Sequence, residues 1–114
     1  MKRKKIYISG QISGLEPEDA ESTFNKMEKT LRAQGYSVVN PTRLGIEDVS
    51  GRGWDYYMKE GIKLLMDCDA VYMLQSWGNS RGAWIEWKLA YDLGMAIYKE
   101  EDGDLIKKKE ILND

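Results

Sequence analysis

Two rhythms alternate along this chain. Short apolar runs suit strands, and apolar positions spaced by three and four suit helices. Residues 4–9 predict a first strand that ends at Ser9. A loop with Gly10 and Gly14 follows, and Pro17-Glu18-Asp19 opens a helix. Proline suits a first helical turn, and acids suit the positive end of the helix dipole. Ala20, Phe24, Met27 and Leu31 then mark one apolar face, and Gly35 stops the pattern. Tyr36 to Val39 predicts a short second strand, closed by Asn40-Pro41. Residues 42–53 have little apolar content and contain Gly51-Arg52-Gly53, so they read as a flexible loop. Trp54 to Met66 predicts a second helix, residues 69–74 a third strand, and residues 81–93 a third helix ended by Gly94. Met95 to Tyr98 predicts a fourth strand. After a turn at Asp102-Gly103, the charged stretch Leu105–Leu112 suits a short helix or strand at a sheet edge.

Strands that alternate with helices in this way imply an α/β protein with a parallel sheet and right-handed crossovers. Ligands of such sheets sit beyond the carboxyl ends of the strands, where the strand order reverses. That rule selects residues without any motif. The first strand ends at Ser9-Gly10-Gln11, the second at Asn40-Pro41, and the third at Gln75-Ser76-Trp77. The third helix begins at Ser80, Arg81 and Gly82 and carries Glu86 in its second turn.

The chain has no histidine, so polar chemistry falls to carboxylates, tyrosines, hydroxyls and backbone amides. Glu86 is the first candidate, because the helix around it is so apolar that a glutamate there serves a site or pairs with Arg81 or Lys88. Tyr7 is either an ordinary strand aromatic or a hydroxyl that orients Glu86. Ser80, Arg81 and Gly82 offer free amides and a positive dipole end to an anion, or Ser80 merely caps the helix. Gly10 to Gly14 allows a close backbone approach, although the spacing is neither that of a P-loop nor of a dinucleotide fingerprint. Trp77, in its loop, shields the site or stacks on a planar ligand. Trp54, Tyr56 and Tyr57 suit the core or a stack on a base. Asp67 and Asp69 flank the opposite end of the third strand and read as structural.

A length of 114 residues suits one domain, with a core over about 5–98 and a charged segment over 99–114. The net charge of −2 argues against a nucleic-acid polymer as partner. The basic start Lys2-Arg3-Lys4-Lys5 reads as a solvated lead-in, and Ile6-Tyr7-Ile8 is too short for a signal peptide. No segment has membrane-spanning length. The single cysteine, Cys68, allows no internal disulfide and reads as a buried filler, and the chain is expected in the cytoplasm. Trp84, Trp87 and Tyr91 give the third helix a second apolar side, which predicts at least a homodimer.

Several stretches together are similar to a known family. They are Ile6-Tyr7-Ile8-Ser9-Gly10, Val38-Val39-Asn40-Pro41, Cys68-Asp69-Ala70, and the run Trp77, Ser80, Gly82-Ala83, Glu86 and Ala90. The chain resembles the small DUF4406 proteins, which resemble the nucleoside 2-deoxyribosyltransferases and nucleotide N-glycosidases. The resemblance implies a flavodoxin-like three-layer sandwich with a parallel sheet of four to five strands. It also implies N-glycosyl transfer or hydrolysis on a nucleoside or its 5′-monophosphate. Glu86 matches the nucleophile and Tyr7 the tyrosine that positions it. No metal or cofactor is implied. In the transferases an aspartate on the helix before the third strand handles the leaving base; here that place falls on Gly61, beside Glu60. A second aspartate falls on Ser80, beside Asn79, and a serine there suits a phosphate. The loss of the acid leaves two rival readings: a non-catalytic nucleotide-binding module and an oligomeric interaction protein.

Overall fold

The computed structural model describes residues 4–43, 53–101 and 104–107. Strands β1 (Lys5–Ser9), β2 (Ser37–Val39), β3 (Ala70–Met73), β4 (Ala96–Glu101) and β5 (Asp104–Lys107) form one sheet in the order β2-β1-β3-β4-β5. The first four run parallel. Helices α1 (Pro17–Ala33), α2 (Trp54–Met66) and α3 (Arg81–Asp92) cover its two faces. Short 3-10 turns follow β2 at Pro41–Arg43 and β3 at Gln75–Asn79, where the sequence suggested plain loop. The chain folds as a flavodoxin-like α/β sandwich, as its sequence predicts.

The layers follow from side-chain alternation along the strands. Ile6 and Ile8 of β1 join Tyr72, Leu74, Phe24, Met27, Leu31 and Val38 in a core under α1. Tyr7, Val71 and Met73 point the other way and pack with Leu65, Ala83, Ala90 and Ile97 under α2 and α3. A central strand covered on both faces has no solvent side, so β1 and β3 read as continuous apolar runs. Proline occupies the start of α1, as expected. Gly35 and Gly94, with φ of 97° and 74°, turn the chain out of α1 and α3 in the left-handed region that favours glycine.

The fifth strand departs from the expectation of an all-parallel sheet. It runs antiparallel to β4, with Tyr98 opposite Lys107 and Glu101 opposite Asp104. β5 starts three positions after β4 ends, and so short a link joins only antiparallel strands. β4 itself runs on to Glu101, past the expected end at Tyr98, because β5 pairs with the extension. Four expectations lie outside the described residues: the basic start at Lys2-Arg3, the flexible loop over 44–52, the Asp102-Gly103 turn, and the edge segment beyond residue 107.

At the end of β3 far from the expected site, Asp67 pairs with Lys5 at 2.8 Å and Asp69 accepts the Lys5 backbone N–H at 2.9 Å. Both tie the start of β1 to that of β3, a structural role. Cys68 beside them is buried and donates its thiol to the Leu64 carbonyl. Burial, with the neighbouring Asp67 and Asp69, pushes that thiol up to about 11 despite Lys5, so it stays protonated and inert.

Candidate active site

β1 lies between β2 and β3, so the chain leaves it toward one side first and the other side later. That is the topological switch point, and a cavity of about 500 Å³ opens there. Tyr7 and Ser9 stand two apart on β1 and therefore face the same way. Opposite them α3 presents Glu86, five residues after its first residue. The Tyr7 hydroxyl donates to Glu86 Oε2 at 2.8 Å, and the Ser9 hydroxyl donates to Glu86 Oε1 at 2.6 Å.

All three side chains are buried and all three line the cavity. Burial pushes the Glu86 carboxyl above its ordinary range, and the donors Ser9 and Tyr7 pull against that. Burial is the largest of these influences, so the carboxyl stays above its ordinary range. Burial, and then the Glu86 charge, push Tyr7 far above its ordinary value, so its phenol keeps its proton and serves as a donor. Two of the roughly four lone-pair positions of the carboxylate are taken, which leaves others for a reacting carbon.

Among the described residues Glu86 forms no ion pair with Arg81 or Lys88. Lys88 bonds Asp92 at 2.6 Å, and the Arg81 guanidinium lies 4.7 Å from the centre of the Trp54 ring. Ser80 caps α3 by accepting the Ala83 N–H at 3.0 Å and also lines the cavity. Gly10, Pro41 and Gly82 line it too. A Cβ on Gly10 would come within 2.8 Å of Leu74, whose Cβ also lies 3.0 Å away, so packing favours glycine there; one on Gly82 would come within 2.7 Å of Met58 Sδ, the end of a flexible side chain.

Four predicted site residues stand off the cavity wall. Gln11 turns its side-chain amide to the Ser13 carbonyl. Asn40 is buried in a network with Asn25, Glu28 and Thr42. Arg81 stacks on Trp54 as described. Trp77 packs into an aromatic row, 4.6 Å from Trp84 and 6.1 Å from Trp87 between ring centres.

Sequence reasoning missed most of the opposite wall. Pro17, Ala20, Glu21 and Phe24 bring the start of α1 to the cavity, and Thr42 and Met58 join them. The apolar spacing of α1 marks a buried face but gives no sign that its first two turns face a cavity. Trp54 and Tyr57 also line the space.

Gly61 of α2 lies against the buried pair. A Cβ there would sit 2.9 Å from the Tyr7 hydroxyl and 3.4 Å from Glu86 Oε2. The neighbouring Glu60 does not line the cavity; it bonds Lys63 at 3.1 Å. Among the described residues no cluster of three or more His, Cys, Asp or Glu could hold a metal ion, and no helix is long and apolar enough to cross a membrane.

A four-stranded parallel α/β sandwich with a hydrogen-bonded carboxyl at its switch point is the class that fold and site define. The chain belongs to the DUF4406 family, described as a domain of unknown function, which matches residues 4–99. Its fold is similar to that of a 2-deoxyribosyltransferase from the psychrotolerant bacterium Bacillus psychrosaccharolyticus, with TM-score 0.66 and 20% identity over 96% of this chain and 77% of that one. It is also similar to a 2-deoxyribosyltransferase from Leishmania mexicana, with TM-score 0.63 and 20% identity over 93% of this chain and 79% of that one. At that identity the likeness shows the fold. No curated protein matches the chain.

Proposed function

We propose that this protein transfers or hydrolyses the N-glycosyl bond of a nucleoside or its 5′-monophosphate, with Glu86 as nucleophile. One observation carries the reading: a buried glutamate, held by Tyr7 and Ser9, lines a cavity of a size that suits a small ligand. The likeness in fold to 2-deoxyribosyltransferases supports it. A Glu86 oxygen attacks the anomeric carbon, the base leaves with the bonding pair, and an ester joins sugar to enzyme. Water or a second base then takes the sugar and frees the carboxylate. Tyr7 and Ser9 fix the carboxylate's aim, so part of the entropic cost of attack is met in the folded protein. Ser80, which lines the cavity at the start of α3, is the group that would meet a 5′-phosphate.

The test is chromatographic assay of free base from a panel of deoxynucleosides and their 5′-monophosphates, with and without an acceptor base. Base release is expected from the wild type and not from Glu86→Ala, whose circular dichroism and thermal transition should show a folded protein. Turnover retained in that variant would refute the reading.

Gly61 favours a second reading, a binding module without catalysis, because α2 offers no acid beside the buried pair. It is distinguished by thermal stabilisation with nucleotides and no base release. The aromatic row Trp77, Trp84, Trp87 and Tyr91, with Trp84 49% and Tyr91 42% exposed, supports a homodimer through α3. A buried, reduced Cys68 suits the cytoplasm.

A further inference from the structure

A glycine inside a helix needs a reason, because it loses more freedom on folding than alanine and weakens the helix it sits in. Gly61 lies in the second half of α2 and is buried there. Its surroundings supply the reason. Outside its chain neighbours and its own helix backbone, a Cβ at this position would meet two heavy atoms within 4 Å. They are the Tyr7 hydroxyl oxygen at 2.9 Å and Glu86 Oε2 at 3.4 Å. The second distance is ordinary contact; the first is too short for a carbon and an oxygen that share no bond. On its other side the position is open, since Gly61 lines the cavity.

The hydroxyl has little room to step aside. Tyr7 stands on β1, between two paired strands, and its ring packs under α2 and α3 with 2% of the residue exposed. The same oxygen is the donor that holds Glu86 Oε2 at 2.8 Å. One atom therefore both excludes a side chain at 61 and aims the carboxylate.

We propose that Gly61 is a positioning residue, whose bare backbone is what lets the Tyr7 hydroxyl reach Glu86. This deepens the N-glycosyl reading, on which its activity readout rests. A methyl group at 61 pushes the Tyr7 oxygen off its place and weakens the bond to Oε2, while Ser9 keeps its hold on Oε1. The other titratable groups around the pair are Glu21 of α1 and Tyr57 of α2 on the cavity wall, and Cys68, which acts on Tyr7. Arg81 and Lys88 of α3 turn to Trp54 and Asp92, and Glu60 of α2 turns to Lys63. The substitution alters none of these groups.

The test is a double-mutant cycle on Gly61→Ala and Tyr7→Phe, read by thermal unfolding and by base release. Alanine is the better helix former, so propensity alone would raise the melting temperature of Gly61→Ala. The contact with the hydroxyl reverses that sign. Gly61→Ala should melt several degrees below the wild type. In the Tyr7→Phe background, where the oxygen is gone, the same substitution should raise the melting temperature by about 4 °C. In activity, Gly61→Ala should lower kcat more than it changes KM. It should also move the acid limb of the rate–pH profile upward, by less than the ~1–2 pH units of a donor lost outright. In the Tyr7→Phe background it should move that limb no further.

Equal changes of melting temperature in the two backgrounds would overturn the coupling. A fold lost in Gly61→Ala and regained in the double variant would support it, and a fold lost in both would overturn it. An unmoved acid limb in Gly61→Ala would overturn the positioning role even with the coupling intact. Absence of Glu86-dependent release from the wild type would overturn the N-glycosyl reading and the positioning role with it, and the melting temperatures alone would then decide the coupling.

Discussion

Glu86 is a charge kept where little water reaches it, and its two donors decide how it titrates. Burial raises its carboxyl, and Ser9 and Tyr7 lower it. If Glu86 is the nucleophile it must be ionised to attack, and activity should then rise with pH as that group loses its proton. Removing one donor favours the protonated form. Tyr7→Phe should therefore move the acid limb of the rate–pH profile upward, by about one to two pH units if the lost bond contributes ~1.5–3 kcal/mol. The measurement is base release against pH for both proteins, and an unmoved limb would show that Tyr7 does not govern the ionisation. At this scale much was legible. Glu86 stood out as an acid in the first half of an apolar helix near a strand end, and Tyr7 as a polar-tipped aromatic two residues from a loop. Ser9 was selected by position, but its bond to Glu86 was not foreseeable, because a hydroxyl at a strand end bonds whatever the fold brings near it. Gly61 carried no signal of its own beyond the family resemblance.

Among the elements, the turn after β2 is held by a buried charge outside the reacting centre. Glu28 of α1 bonds Arg32 at 2.7 Å and Asn40 at 3.0 Å, and it also pairs with Arg43. Asn40 in turn accepts the Thr42 N–H at 3.0 Å, so this knot fixes the Pro41–Thr42 part of the cavity wall. Burial pushes the Glu28 carboxyl up, but hydrogen bonds from Arg32, Arg43 and Asn40 outweigh it and lower the group from 4.5 to about 2. A carboxyl lowered on folding stabilises the protein fully above its unfolded value. That contribution fades as pH falls from about 4.5 toward about 2. Glu28→Gln should cost on the order of 2 kcal/mol at neutral pH and flatten the loss of stability across that acid window. Urea unfolding at several pH values measures both effects; parallel curves for the two proteins would show that Glu28 is not the group responsible. The helices and parallel strands were legible because their apolar periods are long enough to count. The Glu28 knot was not, since charges spaced along α1 and a distant turn look like ordinary surface until the fold closes. The direction of β5 escaped for a different reason: its charged sequence carries no apolar period to reveal it.

For the molecule as a whole, the two faces of α3 do different work. One presents Glu86 to β1, and the other carries Trp84, Trp87 and Tyr91 in a row of touching rings. If that row is the dimer contact, Trp84→Lys should lower the mass in light scattering from dimer to monomer at micromolar concentration, with the circular dichroism spectrum unchanged. A wild-type monomer would instead leave the row without a partner copy. The parallel run of the first four strands followed from simple alternation, whereas the surplus apolar side of α3 showed only an exposed aromatic face. The joining of these two faces in one rigid rod has a mechanical result. β1 is clamped by ladders on both sides, so Tyr7 and Ser9 act as a fixed jaw. Glu86 rides on the opposing jaw, and whatever grips the back of that helix sets the bite. If a second copy grips that helix and Glu86 is the nucleophile, the contact between copies and the aim of the carboxylate are settings of a single vice.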